Sequence, residues 1–179
     1  MFEHPTFIVL EVPPPVADII QQWRESFDPV VATFPVEITV IGSSGVGTLA
    51  SNQDRTEVFD ILSELAQILT PFTTNFTGIA RFPNTDIFYL APLHPEKFVK
   101  VQRAITATGL RFDASPFPYT PHCTIRSIGK ASAEDEKALL ALQPPPQPFV
   151  LDTLAVYELV NNRICNLLFR TKLTGSAST

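Results

Sequence analysis

Phe117-Pro118-Tyr119-Thr120-Pro121-His122-Cys123-Thr124-Ile125 and, earlier in the chain, Pro35-Val36-Glu37-Ile38-Thr39-Val40 are two short runs built to one plan. Each carries a polar-x-threonine triplet that starts just after a proline, among β-branched and apolar neighbours. Successive side chains of a strand alternate faces, so Glu37 shares a face with Thr39. By the same rule His122 shares a face with Thr124 and then Arg126, while Cys123 points the other way. The surroundings echo as well. A strand at Phe7–Val12, prolines 13–15, a helical stretch and Pro35 precede the first run. A strand at Phe88–Leu93, Pro95, a helical stretch and Pro121 precede the second. An approximate twofold arrangement of these two units brings both triplets to one cleft.

Working outward, hydrophobic period predicts an α+β chain. Strands are expected at Thr6–Val12, Val36–Ile41, Phe76–Phe82, Ile87–Leu93, His122–Ile128, Phe149–Leu159 and Ile164–Leu173, the last two joined by an Asn161-Asn162 turn. Helices are expected at Val16–Phe27, Asp54–Leu69, Pro95–Ala107 and Ser132–Leu142. The 179 residues, 45% of them hydrophobic, suffice for one packed domain over residues 1–173, with a small polar tail at 174–179 expected to fray. The 17 prolines fall between apolar runs and punctuate the fold.

A net charge of −5 argues against duplex DNA as the main partner. No apolar stretch reaches the roughly 18 residues of a membrane helix, and the start lacks the pattern of a secretory leader. The expected setting is therefore the cytoplasm, with Cys123 and Cys165 reduced. Neither those cysteines nor His4, His94 and His122 form a metal-ligand spacing.

Imidazole, hydroxyl and guanidinium along one strand face suit a phosphate ester: Thr124 and Arg126 hold nonbridging oxygens while His122 moves a proton. Blander readings stand beside this. Glu37 also reads as a solvated rim carboxylate, Arg126 as a surface arginine, and Tyr119 either stacks on a base or packs on the core. Gly42-Ser43-Ser44-Gly45-Val46-Gly47 lacks the lysine of a phosphate loop and reads as a turn. Lys97, Lys100 and Arg103 read as a solvated helix stripe, and His94-Pro95 as a helix start. His4-Pro5-Thr6 repeats the string at the start of the first strand, where it reads as coincidence unless His4 reaches the cleft.

Over nearly its whole length the chain resembles the two-histidine (2H) phosphoesterases, which include the 2',5' RNA ligase-like proteins. The likeness rests on the opening Phe7-Ile8-Val9-Leu10 strand, the Pro-His-x-Thr run at Pro121–Thr124, the near match at Pro35–Thr39, and the closing Leu154-Ala155-Val156-Tyr157-Glu158. It implies a bilobal fold, with two antiparallel sheets and flanking helices around a central cleft. It implies metal-free, cofactor-free cleavage of 2',3'-cyclic or 2',5'-linked phosphodiesters of nucleotides or RNA. His122 would be catalytic, and Thr39 and Thr124 would bind phosphate oxygens. The departure is Glu37, which stands where the family has its first histidine. An ordinary glutamate, with a pKa of about 4.3, is a poor acid at neutral pH and repels phosphate. Burial raises that value, and Glu37 then serves as base with His122 as acid. The alternative is an inactive module that binds nucleotides or RNA ends, and a third reading is a scaffold for protein contacts.

Overall fold

The computed structural model describes residues 1–176. In chain order the elements are β1 (Thr6–Glu11), α1 (Val16–Phe27), a 3-10 turn at Val31–Thr33, β2 (Glu37–Ile41), α2 (Arg55–Ile68), β3 (Phe72–Thr74), β4 (Phe76–Arg81) and β5 (Phe88–Pro92). They continue with α3 (Pro95–Thr106), β6 (Cys123–Arg126), α4 (Ala133–Ala141), β7 (Phe149–Leu151), β8 (Thr153–Val160) and β9 (Ile164–Lys172). All pairings are antiparallel. One sheet runs β2-β1-β8-β9, another β4-β5-β6, and β3 pairs with β7 in a small third.

The repeated unit of the sequence is a repeated unit of the fold. β1 pairs with β2 across α1, and β5 pairs with β6 across α3. β2 and β6 are edge strands that lie side by side where the two larger sheets meet. The helices cross over: α1 packs against β6, and α3 against β2. Gln102 of α3 donates to the Val40 carbonyl at 3.1 Å, and Arg24 of α1 donates through Nε to the Thr124 carbonyl at 2.9 Å.

Strand alternation separates core from cleft. Ile8, Leu10, Ile38, Val40, Leu154 and Val156 are fully buried in the main core. Their neighbours Val9, Ala155 and Tyr157, with Phe7 and Cys165, form a separate cluster on the opposite sheet face. The register sets Glu11 opposite Glu37 and Val9 opposite Thr39, so the first triplet lies on that second face.

The buried stripe of α1 runs Val16, Ile20, Arg24, and Asp28 continues it at the C-cap. Two charged residues thus sit where helical spacing calls for apolar ones. Asp28 Oδ1 accepts the N–H groups of Val30 and Val31, and Oδ2 those of Ser127 and Ile128 at 2.9 and 2.8 Å. These last two bonds end β6 at Arg126, short of the expected Ile128, because the N–H groups go to a carboxylate instead of a neighbouring strand.

Two other expectations are corrected. The single strand expected over Phe149–Leu159 breaks at Asp152 into β7 and β8, which join different sheets. β3 is an addition to the expected elements, since three residues are too few to register a period. Beyond β9, Thr174 and Gly175 donate to the Ala66 and Leu69 carbonyls at the end of α2, and residues 177–179 lie outside the described residues. No helix among the described residues is long and apolar enough to cross a membrane.

Replacing Asp28 by Ala leaves four N–H groups without their acceptor, that of Val31 buried. The expected loss is on the order of 3 kcal/mol or more, read by urea unfolding, with Asp28→Asn losing less. A loss within about 0.5 kcal/mol would show that this carboxylate fastens nothing.

Candidate active site

Between the sheets opens a recess of about 610 Å³, within the size range of small-molecule sites. Its polar lining includes Glu37, Thr39, His122 and Thr124, with Arg24 beneath them and Ser43 and Ser44 at the lip. Phe7, Phe34, Phe82, Phe117 and Leu159 supply apolar wall. The two triplets meet because β2 and β6 are adjacent edges. The loops leaving β2 and entering β6 are zipped together: Gly45 donates to Phe117, Ser115 Oγ to Ser43, Asp113 to Thr48 and Ala50 to Arg111. Gly47 has φ +94°, and a Cβ there would strike the Asp113 carbonyl, so only glycine allows this approach.

His122 is held by its neighbours. Its Nδ1 lies 2.7 Å from the Thr120 carbonyl, which only accepts, so Nδ1 carries the proton and Nε2 keeps a lone pair. Phe82 and Tyr89 meet the ring edge-on, with centroids at 5.0 and 5.5 Å. Burial lowers the imidazole pKa below its usual 6.5, partly offset by the bond to Thr120, and the ring is neutral at pH 7.

Glu37 moves the other way. Desolvation at the floor of the recess raises its pKa from 4.5 to about 7, against the lowering effects of the Thr39 bond and the Arg24 charge. Thr39 Oγ1 donates to its carboxylate at 2.9 Å. The Thr124 hydroxyl makes no hydrogen bond among the described residues. Cys123, on the far face of β6, is fully buried and its thiol is pushed up to about 12. Cys165, on the recess side, is likewise pushed to about 12 by burial, so neither sulfur is a nucleophile at neutral pH.

Of the six residues singled out in the sequence, Glu37, Thr39, His122 and Thr124 line the recess, while Tyr119 and Arg126 do not. A bulge in the β5–β6 pairing explains Arg126. Tyr89 lies opposite Thr124 and Phe88 opposite Arg126, so adjacent residues of β5 face residues two apart in β6. The extra residue turns Arg126 away from the face of Thr124. Its Nη1 is spent on the Asp86 and Gly129 carbonyls. Tyr119 donates its hydroxyl to the Thr39 carbonyl at 3.1 Å and pins β2 from behind. His4 is outside the lining, at the far end of β1 from Glu11 and Glu37. Sequence reasoning missed Arg24, whose signal was a charge on the buried helical stripe of α1, and the exposed Phe117 at the lip. No group of three His, Cys, Asp or Glu residues among the described residues is placed to hold a metal ion.

The profile of the 2'-5' RNA ligase superfamily matches residues 12–163, which include both triplets and the strands that carry them. The chain belongs to this superfamily. No curated protein matches it in sequence. Among solved structures, TT0787 of Thermus thermophilus superposes with a TM-score of 0.68 at 18% identity, over 96% of this chain and 98% of that one. E. coli LigT complexed with 3'-AMP gives 0.61 at 18% identity, over 96% and 98% of the two chains. LigT complexed with phosphate gives 0.62 at 17%, over 97% and 99%. At these identities the likeness is one of fold, and that fold is the bilobal α+β arrangement of a 2H phosphoesterase.

Since the folded state holds a proton on Glu37 between pH 4.5 and about 7 that the unfolded chain has released, the Glu37 contribution to stability falls as pH rises through that window, while the lowered pKa of His122 contributes in the opposite sense. Glu37→Gln is expected to remove this slope: denaturation midpoints of the two proteins lie closest near pH 4.5, and the variant leads at pH 8. A wild-type advantage at pH 8 would mean the carboxylate is stabilised as an anion.

Proposed function

We propose that the protein is a phosphoesterase that opens 2',3'-cyclic or 2',5'-linked phosphodiesters of nucleotides or RNA ends, with Glu37 in the place of the superfamily's first histidine. The observation that carries this is the meeting of two titratable groups with opposed shifts at one recess. His122 offers an unprotonated Nε2 near neutrality, and Glu37 keeps a proton to about pH 7. Pairs whose surroundings push their pKa values toward each other's roles are the mark of acid–base work.

The assignment reverses the one the sequence suggests. His122 Nε2 is the base that takes a proton from the attacking water or hydroxyl, and protonated Glu37 is the acid that gives one to the leaving ester oxygen. The Thr124 hydroxyl, free of protein partners among the described residues, donates to a nonbridging oxygen. Thr39 orients the Glu37 carboxyl through the bond it already makes. The aromatic wall and a volume of about 610 Å³ suit a nucleoside-sized group. The solved LigT complex with 3'-AMP supports a ligand of that kind.

Turnover of 2',3'-cyclic nucleotides and 2',5'-linked dinucleotides tests the reading. His122→Ala and Glu37→Gln are each expected to cost on the order of 10²–10⁴ in rate. The pH profile is expected to be a bell on the acid side of neutrality. Its rising limb follows loss of the His122 proton below 6.5, and its falling limb follows loss of the Glu37 proton near 7. A rate that keeps rising above pH 8 would return the base role to Glu37. Absent turnover with retained nucleotide binding would make the protein a binding module.

A further inference from the structure

Arg24 is 1% exposed, yet among the described residues it is the only lysine or arginine that lines the recess. Its Nε donates to the Thr124 carbonyl at 2.9 Å, and its Nη1 to the carbonyls of Phe34 at 3.1 Å and Pro35 at 2.9 Å. One guanidinium thus ties β6 to the residues that lead into β2. Among the described residues it forms no ion pair with a carboxylate. A guanidinium does not lose its charge, so this is a fixed positive charge beneath both triplets.

Other groups around Glu37 are accounted for. Glu11, opposite it on β1, is bonded to Arg170 of β9 and Tyr157 of β8. Burial holds Tyr119 and Tyr157 as phenols and Cys123 and Cys165 as thiols. His122, just before β6, is neutral. The Thr39 hydroxyl carries no charge. Near neutrality, therefore, the charge of the recess is set by Arg24 and by whether Glu37 holds its proton.

We propose that Arg24 is the positioning residue that joins the two half-sites and the charge against which a singly charged phosphodiester is matched, so that the ligand enters together with a proton on Glu37. With Glu37 protonated the recess carries one net positive charge. With Glu37 ionised that charge is cancelled and a second anion is repelled. The proposal rests on the reading of the recess as a phosphodiester site, but not on turnover.

The test is calorimetric titration of adenosine 2',3'-cyclic phosphate into protein carrying His122→Ala, which leaves the ligand intact, in two buffers of different ionisation enthalpy. At pH 7.5–8, uptake approaching one proton per ligand is expected, with affinity falling about tenfold per pH unit above neutrality. Adding Glu37→Gln abolishes both the uptake and the pH dependence. Adding Arg24→Met weakens binding at pH 6 at least tenfold, whereas Arg24→Lys, which keeps the charge, stays within a few-fold. Binding without proton uptake, no binding at all, or a folded Arg24→Met protein that binds as its parent does would each overturn the proposal. If Arg24→Met does not fold, proton uptake and Arg24→Lys still decide. Wild-type turnover measured alongside keeps the two readings apart: turnover without proton-linked binding removes only this one, and proton-linked binding without turnover removes only the enzyme.

Discussion

The carbonyls of Phe34, Pro35 and Thr124 converge on the Arg24 guanidinium, and one turn further along the chain Asp28 gathers the N–H groups of Val30, Val31, Ser127 and Ile128. The last turn of α1 therefore holds the entrance of β2 and both the body and the exit of β6. Two sheet edges that share no ladder need some such fastening, and the zipped loops that leave β2 and enter β6 add to it. Removing a buried ion from water is costly, and carbonyl dipoles and amide N–H groups offset only part of that cost. A charged clamp gives direction where an apolar contact would let the strands slide.

The same burial that makes the clamp costly also shapes the chemistry. Desolvation acts against whichever form is charged, so it pushes an acid and a base in opposite directions. His122 is driven neutral, and Glu37 is driven to hold its proton to about pH 7. A glutamate in this recess is then closer to neutral-range chemistry than its solution pKa implies. Thr39 donates to that carboxylate, while Thr124 keeps its hydroxyl free among the described residues. The two halves of the recess are thus related in backbone but unlike in the hydrogen bonds their threonines make.

Much of this arrangement was legible in the residues. Proline followed by polar-x-threonine occurs twice after a strand and a helix, and period-2 alternation sends each triplet to one face. Four of the six residues so selected line the recess. Arg126 leaves it because a bulge adds one residue to β6, and a bulge has no signature in a four-residue strand. Tyr119 holds β2 from behind, a contact across 80 residues of chain that no local pattern encodes. Arg24 carried a signal of its own, a charge placed at i+4 from Ile20 on the buried stripe of α1.

By itself the sequence determined the order of strands and helices, the repeat of the unit and the face each triplet takes. Those properties depend on chain-local sterics and on which side chains leave water. Only the tertiary structure decided which strands share a sheet, that β2 and β6 meet as edges, and that α1 serves the strand of the other unit. It also decided protonation, since a pKa depends on what surrounds a group in space: Glu37 is an ordinary carboxylate in the chain and a neutral-range acid in the recess.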